Sequence, residues 1–339
     1  AGELDGVPFM VNTTVGENQS KPAVSSLDSG GFVFVWQSLL QDGDLAGIYA
    51  RVFDSLGVGG EEFAVNTKVA GNQVNSHVSA LSDGGFVIGW VDSAAPQQVY
   101  LQLFSANGSK RGEDKIVSVD DITTVNNSQN IEFAELTSGS LAVVWDAWKG
   151  ARDIFGRTLS VDSEPPLEDI GFTSAIERLN STTSGDQINP SIAALPDDRF
   201  AIIWSDRAGN DGDRGGIFGR IYNSDLVAVT EEFVVNTLTN DWQSKSNITS
   251  ASNGNLMAIW HQSNGYVEGQ ILNASGGKIG SQFTVQEGFN GLSDVVADSL
   301  GNFWVVSTVN GGSGYLNKYS DTGEHLVDSQ VFQSDVVAI

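Results

Sequence analysis

Residues 7–67 contain four short runs rich in Val, Phe and Ile, and the rest of the chain repeats them. The runs are Val7–Thr13, Pro22–Leu27, Phe32–Trp36 and Ile48–Asp54, and at Phe63–Thr67 the first returns. β-Branched and aromatic runs bounded by Gly, Asn, Asp and Ser turns are strands. A unit of this length that recurs along a chain means a repeat architecture, and four strands per unit point to propeller blades.

The second run opens at Phe32, Phe86, Leu141, Phe200, Leu256 and Phe303, at intervals of 47–59 residues. Four residues after the first five anchors stands a tryptophan: Trp36, Trp90, Trp145, Trp204 and Trp260. In the sixth unit that place holds Ser307, and Trp304 stands three residues earlier. The expected fold is an all-β propeller of six four-stranded blades in one domain, residues 1–339. Seven blades would need a unit that the pattern does not contain. The second run is nearly all apolar, as in a strand covered on both faces.

Seven runs have the character of an outer strand: Phe9–Thr13, Phe63–Thr67, Lys115–Val119, Ala175–Asn180, Phe233–Thr237, Phe283–Glu287 and Val331–Gln333. Only six sets of the other three strands exist. The expectation is therefore a ring closed by the N-terminal strand, with Phe9–Thr13 lent to the last blade. Residues 324–339 would then be an extra strand or linker. The third strand carries Arg51, Gln102, Arg157, Arg220, Gln270 or Asn317 at its fourth position. A polar group in every blade is expected to reach backbone carbonyls or carboxylates between blades rather than a ligand. The tryptophans are expected in the core or wedged between blades. The Asn and Gln of the loops entering each inner strand, such as Asn66 and Gln73, are expected to cap loop backbone.

Composition narrows the function. With 42 Asp+Glu against 17 Lys+Arg the net charge is −25, which argues against nucleic-acid binding and permits divalent cations. No apolar run is long enough to insert in a membrane. There are no cysteines, which points to bacterial export or a cytosol. No signal peptide is visible, so the chain is read as mature or as part of a larger chain or assembly.

Chemistry is sought in the loops expected on one face of the ring. Asp42-Gly43-Asp44 and Asp211-Gly212-Asp213 pair carboxylates around a glycine and could offer oxygens to Ca²⁺, or be plain Asp-Gly turns. Trp148 and Trp242 fall outside the repeat. Beside Arg152, Arg207 and Tyr266 they could stack on a sugar ring while polar groups bond its hydroxyls, or cover the ends of their blades. His261 follows a blade tryptophan and is the one candidate for acid–base work, with Asp146 or Asp206 as a carboxylate partner.

The pattern Phe-x-Val-Asn-Thr … Gly-Asn-Gln … Leu-x-Asp-Gly-Gly-Phe-Val-x-x-Trp … Asp-Gly-Asp resembles the tandem repeats of large acidic bacterial surface and secreted proteins of the RTX adhesin and exoprotein type. The resemblance implies a β-propeller, an extracellular or cell-surface location and Ca²⁺. The Gly-Gly-x-Gly-x-Asp nonapeptides of RTX proteins are absent. The expected function is a non-enzymatic module for adhesion or surface assembly, with a glycan or another surface protein as partner. The alternatives are a lectin-like propeller and a polysaccharide lyase or hydrolase.

Overall fold

The computed structural model describes residues 9–94, 97–118, 130–161, 170–309 and 314–332. Its strands form six antiparallel sheets in chain order. Blade 1 is β1 (Gln19–Ser26), β2 (Phe32–Leu39), β3 (Ala46–Phe53) and β4 (Gly59–Ala64). Blade 2 is β5 (Gln73–Ala80), β6 (Phe86–Asp92), β7 (Gln98–Phe104) and β8 (Lys110–Ile116). Blade 3 is β9 (Ile131–Glu135), β10 (Leu141–Trp148) and β11 (Arg152–Val161), with an outer strand in two pieces, β12 (Ile170–Phe172) and β13 (Glu177–Arg178). Blade 4 is β14 (Gln187–Leu195), β15 (Arg199–Asp206), β16 (Gly216–Asn223) and β17 (Phe233–Val234). Blade 5 is β18 (Gln243–Ser250), β19 (Leu256–Gln262), β20 (Tyr266–Leu272) and β21 (Lys278–Gln286). Blade 6 is β22 (Phe289–Ala297), β23 (Phe303–Val309), β24 (Gly314–Tyr319) and β25 (His325–Phe332). The protein is a six-bladed propeller.

Alternation along the second strand sets the packing. Phe86, Ile88 and Trp90 of blade 2 join Val33 and Val35 of blade 1 in one buried cluster, while Val87 and Val91 turn to blade 3. Four further clusters join blades 2–3, 3–4, 4–5 and 5–6. The five repeat tryptophans are buried, as their spacing implied.

Backbone groups that the strand ladders leave open are met by side chains of the repeat. Asn66, Asn180 and Asn236 accept the N–H of Ile48, Ile154 and Ile217 at 2.7–2.8 Å. Each returns its Nδ2 to the carbonyl two residues on. The next residues are clamped by the following blade. Thr13 donates its N–H and Oγ1 to Glu62, Thr67 to Asp114, and Thr182 to Glu232. Burial alone would raise the Glu62 and Glu232 carboxyls. The donors that converge on them outweigh it and hold both below the ordinary glutamate value. The third-strand arginines bond carbonyls as expected: Arg51 to Val11 and Gly60, Arg157 to Val117 and Ser174, Arg220 to Leu179 and Thr230.

Closure differs from the expectation. The outer strand of blade 6 is its own β25, so Phe9–Thr13 does not complete that blade. A hairpin from β24 closes a short loop, whereas the N-terminal segment would have to return from the far end of the chain. Within 324–339, residues 325–332 are thus an integral strand, and 333–339 lie outside the described residues. Residues 9–13 instead lie on blade 1. Phe9 packs on Phe53 at 5.4 Å, Val11 accepts from Arg51, and Thr13 is clamped by Glu62. Among the described residues no buried cluster joins blade 6 to blade 1. Phe32, Phe34, Trp304 and Val306 are only half-buried, and Val296 is 56% exposed.

Removing a capping amide leaves a buried N–H without its acceptor, which costs about 1–3 kcal/mol. Asn236→Ala is therefore expected to lower unfolding free energy by about 2 kcal/mol in urea denaturation. An unchanged midpoint would remove the cap from the account of stability.

Candidate functional site

The inner strands share a β-bulge near their entry. Register shifts fall between Ser20 and Ala23, Val74 and His77, Ile188 and Ser191, and Ser244 and Asn247. The bulge residues Lys21, Asn75, Asn189 and Lys245 all have positive φ, between 50° and 57°. Pro22 and Pro190 follow two of them, at points where the ladder needs no N–H. Bulges re-aim side chains, and here they aim them at the neighbouring blade. The Lys21 ammonium bonds Asn75 Oδ1, and Asn130 Nδ2 bonds Asn189 Oδ1 at 3.2 Å.

Just beyond the bulge, one register position in each blade carries Ala23, His77, Glu132, Ser191, Asn247 and Asp294. His77 Nδ1 lies 3.4 Å from Glu132 Oε2, and its ring meets the edge of Phe133. Asn247 Nδ2 donates to Asp294 Oδ1 at 3.3 Å. Burial, reinforced by Asp294, pushes Glu132 up to about 8. Burial pushes His77 down to about 4 against the opposing pull of Asp294. Asp294 is itself raised by burial, against the Val295 N–H and His77. At neutral pH the axis therefore holds a neutral imidazole beside a largely protonated glutamate.

Above this ring, a cleft of about 290 Å³ opens where the inner strand and second-strand loop of blade 5 meet blade 6. Trp242, Lys245, His261, Gln262, Ser263 and Gly291 line it. The backbone of Trp242 is clipped to the blade 5 hairpin. Its N–H donates to Ser263 Oγ at 3.2 Å, and Ser263 N–H donates to its carbonyl at 2.9 Å. A bridge joins it to Gly215 of blade 4, where a Cβ would come within 2.9 Å of the indole. The ring is thus held from behind and stays 39% exposed. Gln262 Nε2 donates to the Asn240 carbonyl at 3.1 Å. His261 Nε2 lies 2.7 Å from Ser293 Oγ on blade 6. Burial, with Lys245 adding to it, pushes His261 down to about 4, so the imidazole is neutral at pH 7.

Of the expected site residues, the cleft brings together Trp242 and His261. Tyr266 stands opposite Gln262 in the same hairpin but does not line the cleft. Trp148, 42% exposed, and Arg152 face each other at the end of blade 3, and the Arg207 N–H is bound to Asp186 on blade 4. The pairing of His261 with Asp146 or Asp206 is not formed. Asp146 is buried within blade 3 with Arg152 at 3.9 Å, and Asp206 is buried among Gln187, Ala208 and Asn210. The Asp-Gly-Asp carboxylates staple loops. Asp42 and Asp211 accept from the N–H of Asp44 and Asp213, Asp44 from Gly71, and Asp211 also from Asn236. Among the described residues no three His, Cys, Asp or Glu side chains converge on a metal-sized space. Lys245, Ser263 and Gly291 went unseen in the sequence. The signal for Lys245 was a lysine at the inner-strand position that holds asparagine in blades 2, 3 and 4.

The chain matches no protein-family model and no curated protein. Solved structures share its architecture. An α-L-arabinanase of Penicillium chrysogenum, determined with arabinobiose, superposes with a TM-score of 0.59 at 10% identity, covering 94% of each chain. The fucose-specific lectin of Aleuria aurantia, a six-bladed propeller, gives 0.54 at 12% identity over 94% of this chain and 97% of that one. A sialidase of Streptococcus pneumoniae gives 0.59 at 8% identity over 88% and 67%. At such identities the likeness shows the fold alone.

A raised carboxyl favours the folded state while it keeps its proton. Glu132 therefore contributes fully below its ordinary value of 4.5, and its contribution is lost as pH rises through about 8. His77 works in the opposite sense, but only below 6.5. Between pH 6.5 and 8 the melting temperature should fall in the native chain and fall less in Glu132→Gln. Parallel curves would mean that Glu132 does not titrate in that window.

Proposed function

We propose that the protein is an extracellular, non-enzymatic module that binds glycans for adhesion, through the cleft between blades 5 and 6. The observation that carries this reading is the exposed indole of Trp242, held rigidly beside Gln262, Ser263 and Lys245. A flat apolar face flanked by a few placed polar groups suits a sugar ring, whose C–H face stacks while its hydroxyls bond the rim. The lectin among the structural neighbours adds support for a propeller used in this way. The lyase or hydrolase reading pairs His261 with Asp146 or Asp206, and both carboxylates are buried in blades 3 and 4. The neutral imidazole is instead suited to serve as a hydrogen-bonding group on the cleft wall.

The test is titration with a panel of oligosaccharides, followed by tryptophan fluorescence and calorimetry. The repeat tryptophans are buried and should stay silent, so the signal should come from Trp242. Trp242→Ala should weaken binding about tenfold or more, equivalent to about 1.4 kcal/mol of lost stacking. Trp148→Ala should bind as the native chain does. Undiminished binding by Trp242→Ala would move the site elsewhere, and no binding to any glycan would end this reading.

A further inference from the structure

Lys245 is a bulge residue, and polar side chains at this position bridge two of the blade junctions. Lys21 of blade 1 bonds Asn75 of blade 2, and Asn130 of blade 3 bonds Asn189 of blade 4. Each uses the polar side chain at the same register in the adjoining blade. Among the described residues the Lys245 side chain makes no such bond to blade 6, where the inner-strand register shift instead runs from Phe289 to Ser293. The backbone of Lys245 is fixed by its positive φ and by the bond from its N–H to Ser205 Oγ at 3.1 Å. Its side chain is exposed at the cleft wall. Among the described residues no carboxylate forms a salt bridge with it.

The rest of the cleft is consistent with this. None of its lining residues is Asp or Glu, in a chain where acidic residues outnumber basic ones 42 to 17. Asp241, beside Trp242, is outside the lining and lies 3.5 Å from Asn240 Nδ2. The imidazole is neutral, and Gln262 and the serines are uncharged. A positive group next to an aromatic platform, with carboxylates kept out, is arranged for a sugar that carries a negative charge.

We propose that the cleft selects anionic saccharides, with the Lys245 ammonium bound to a carboxylate or sulfate on the residue stacked against Trp242. The proposal rests on the glycan-binding reading and names the ligand class within it. Lysine acts here as a point charge on a flexible stem, so it should recognise charge more than a fixed geometry.

The experiment compares three oligosaccharide sets of equal length, neutral, uronate-containing and sulfated, on the full chain at two salt concentrations. The native chain should bind one or both anionic sets at least tenfold tighter than the neutral set, with the advantage shrinking at high salt. Uronate or sulfate preference then identifies the source of the charge. Lys245→Gln should lose the advantage, so that anionic and neutral sets bind alike, while Lys245→Arg should keep it. That rescue separates charge from a packing effect, and equal melting temperatures show that the variants are folded. Equal binding of neutral and anionic sugars by the native chain would overturn the proposal and leave the glycan reading standing. An anionic preference that survives Lys245→Gln would overturn it too. Binding to none of the three sets would remove both.

Discussion

The structure depends on what happens to the backbone where the chain leaves one blade for the next. Where an outer strand ends, the third strand of the same blade presents a buried N–H with no ladder partner. Left open, such a group costs about 1–3 kcal/mol. One asparagine answers it from both sides, accepting the N–H and returning a donor to a carbonyl two residues on. The threonine or serine that follows then hands its own donors to a carboxylate of the next blade, or in blade 5 to Gln282. The two bonds together fix how far apart successive blades sit and where each inner strand begins. The bulge, the rotation of its residue and the rim of the cleft all follow from that starting point.

The ring is not uniform. Blade 6 has Ser307 where the others have tryptophan and Asn317 where three have arginine, and its trailing face lacks a packed partner cluster among the described residues. In a repeat protein, stability is close to a sum of unit and nearest-neighbour terms. Among the described residues the junction of blades 6 and 1 is the one without a shared buried cluster. The docking of residues 9–13 on blade 1 offsets part of that loss, because it supplies the contacts an outer strand makes elsewhere: the aromatic pair, the arginine-to-carbonyl bond and the carboxylate clamp.

The fold was legible because it is written several times over. Four alternating runs and a tryptophan in register specify a blade, and repetition turns a local guess into an architecture. Closure was not legible. The contest for the edge of blade 6 lies between a local hairpin and a remote strand of similar character, and composition does not distinguish them. The site was legible in part. Trp242 and His261 stood out by breaking the repeat, but so did Trp148, and only the fold shows that the first two share a cleft. Arg152 and Arg207 looked alike on paper. In the structure the Arg152 guanidinium lies beside buried Asp146, and the Arg207 backbone is tied to Asp186.

The contrast between repeated and unrepeated residues has a physical basis. A side chain present in every blade answers a need that every blade has, such as a buried N–H or a carbonyl between sheets. A ligand of no symmetry makes no such sixfold demand. The cleft lies at the junction of blades 5 and 6, where the inner strand of blade 6 shifts register between Phe289 and Ser293 and Gly291 lines the wall. Gly291 has little room for more, since a Cβ there would come within 1.9 Å of Thr308 Oγ1. The boundary of blades 5 and 6 shares a buried cluster and opens only locally, at this cleft. One lysine, which forms no salt bridge among the described residues, is left facing into the gap.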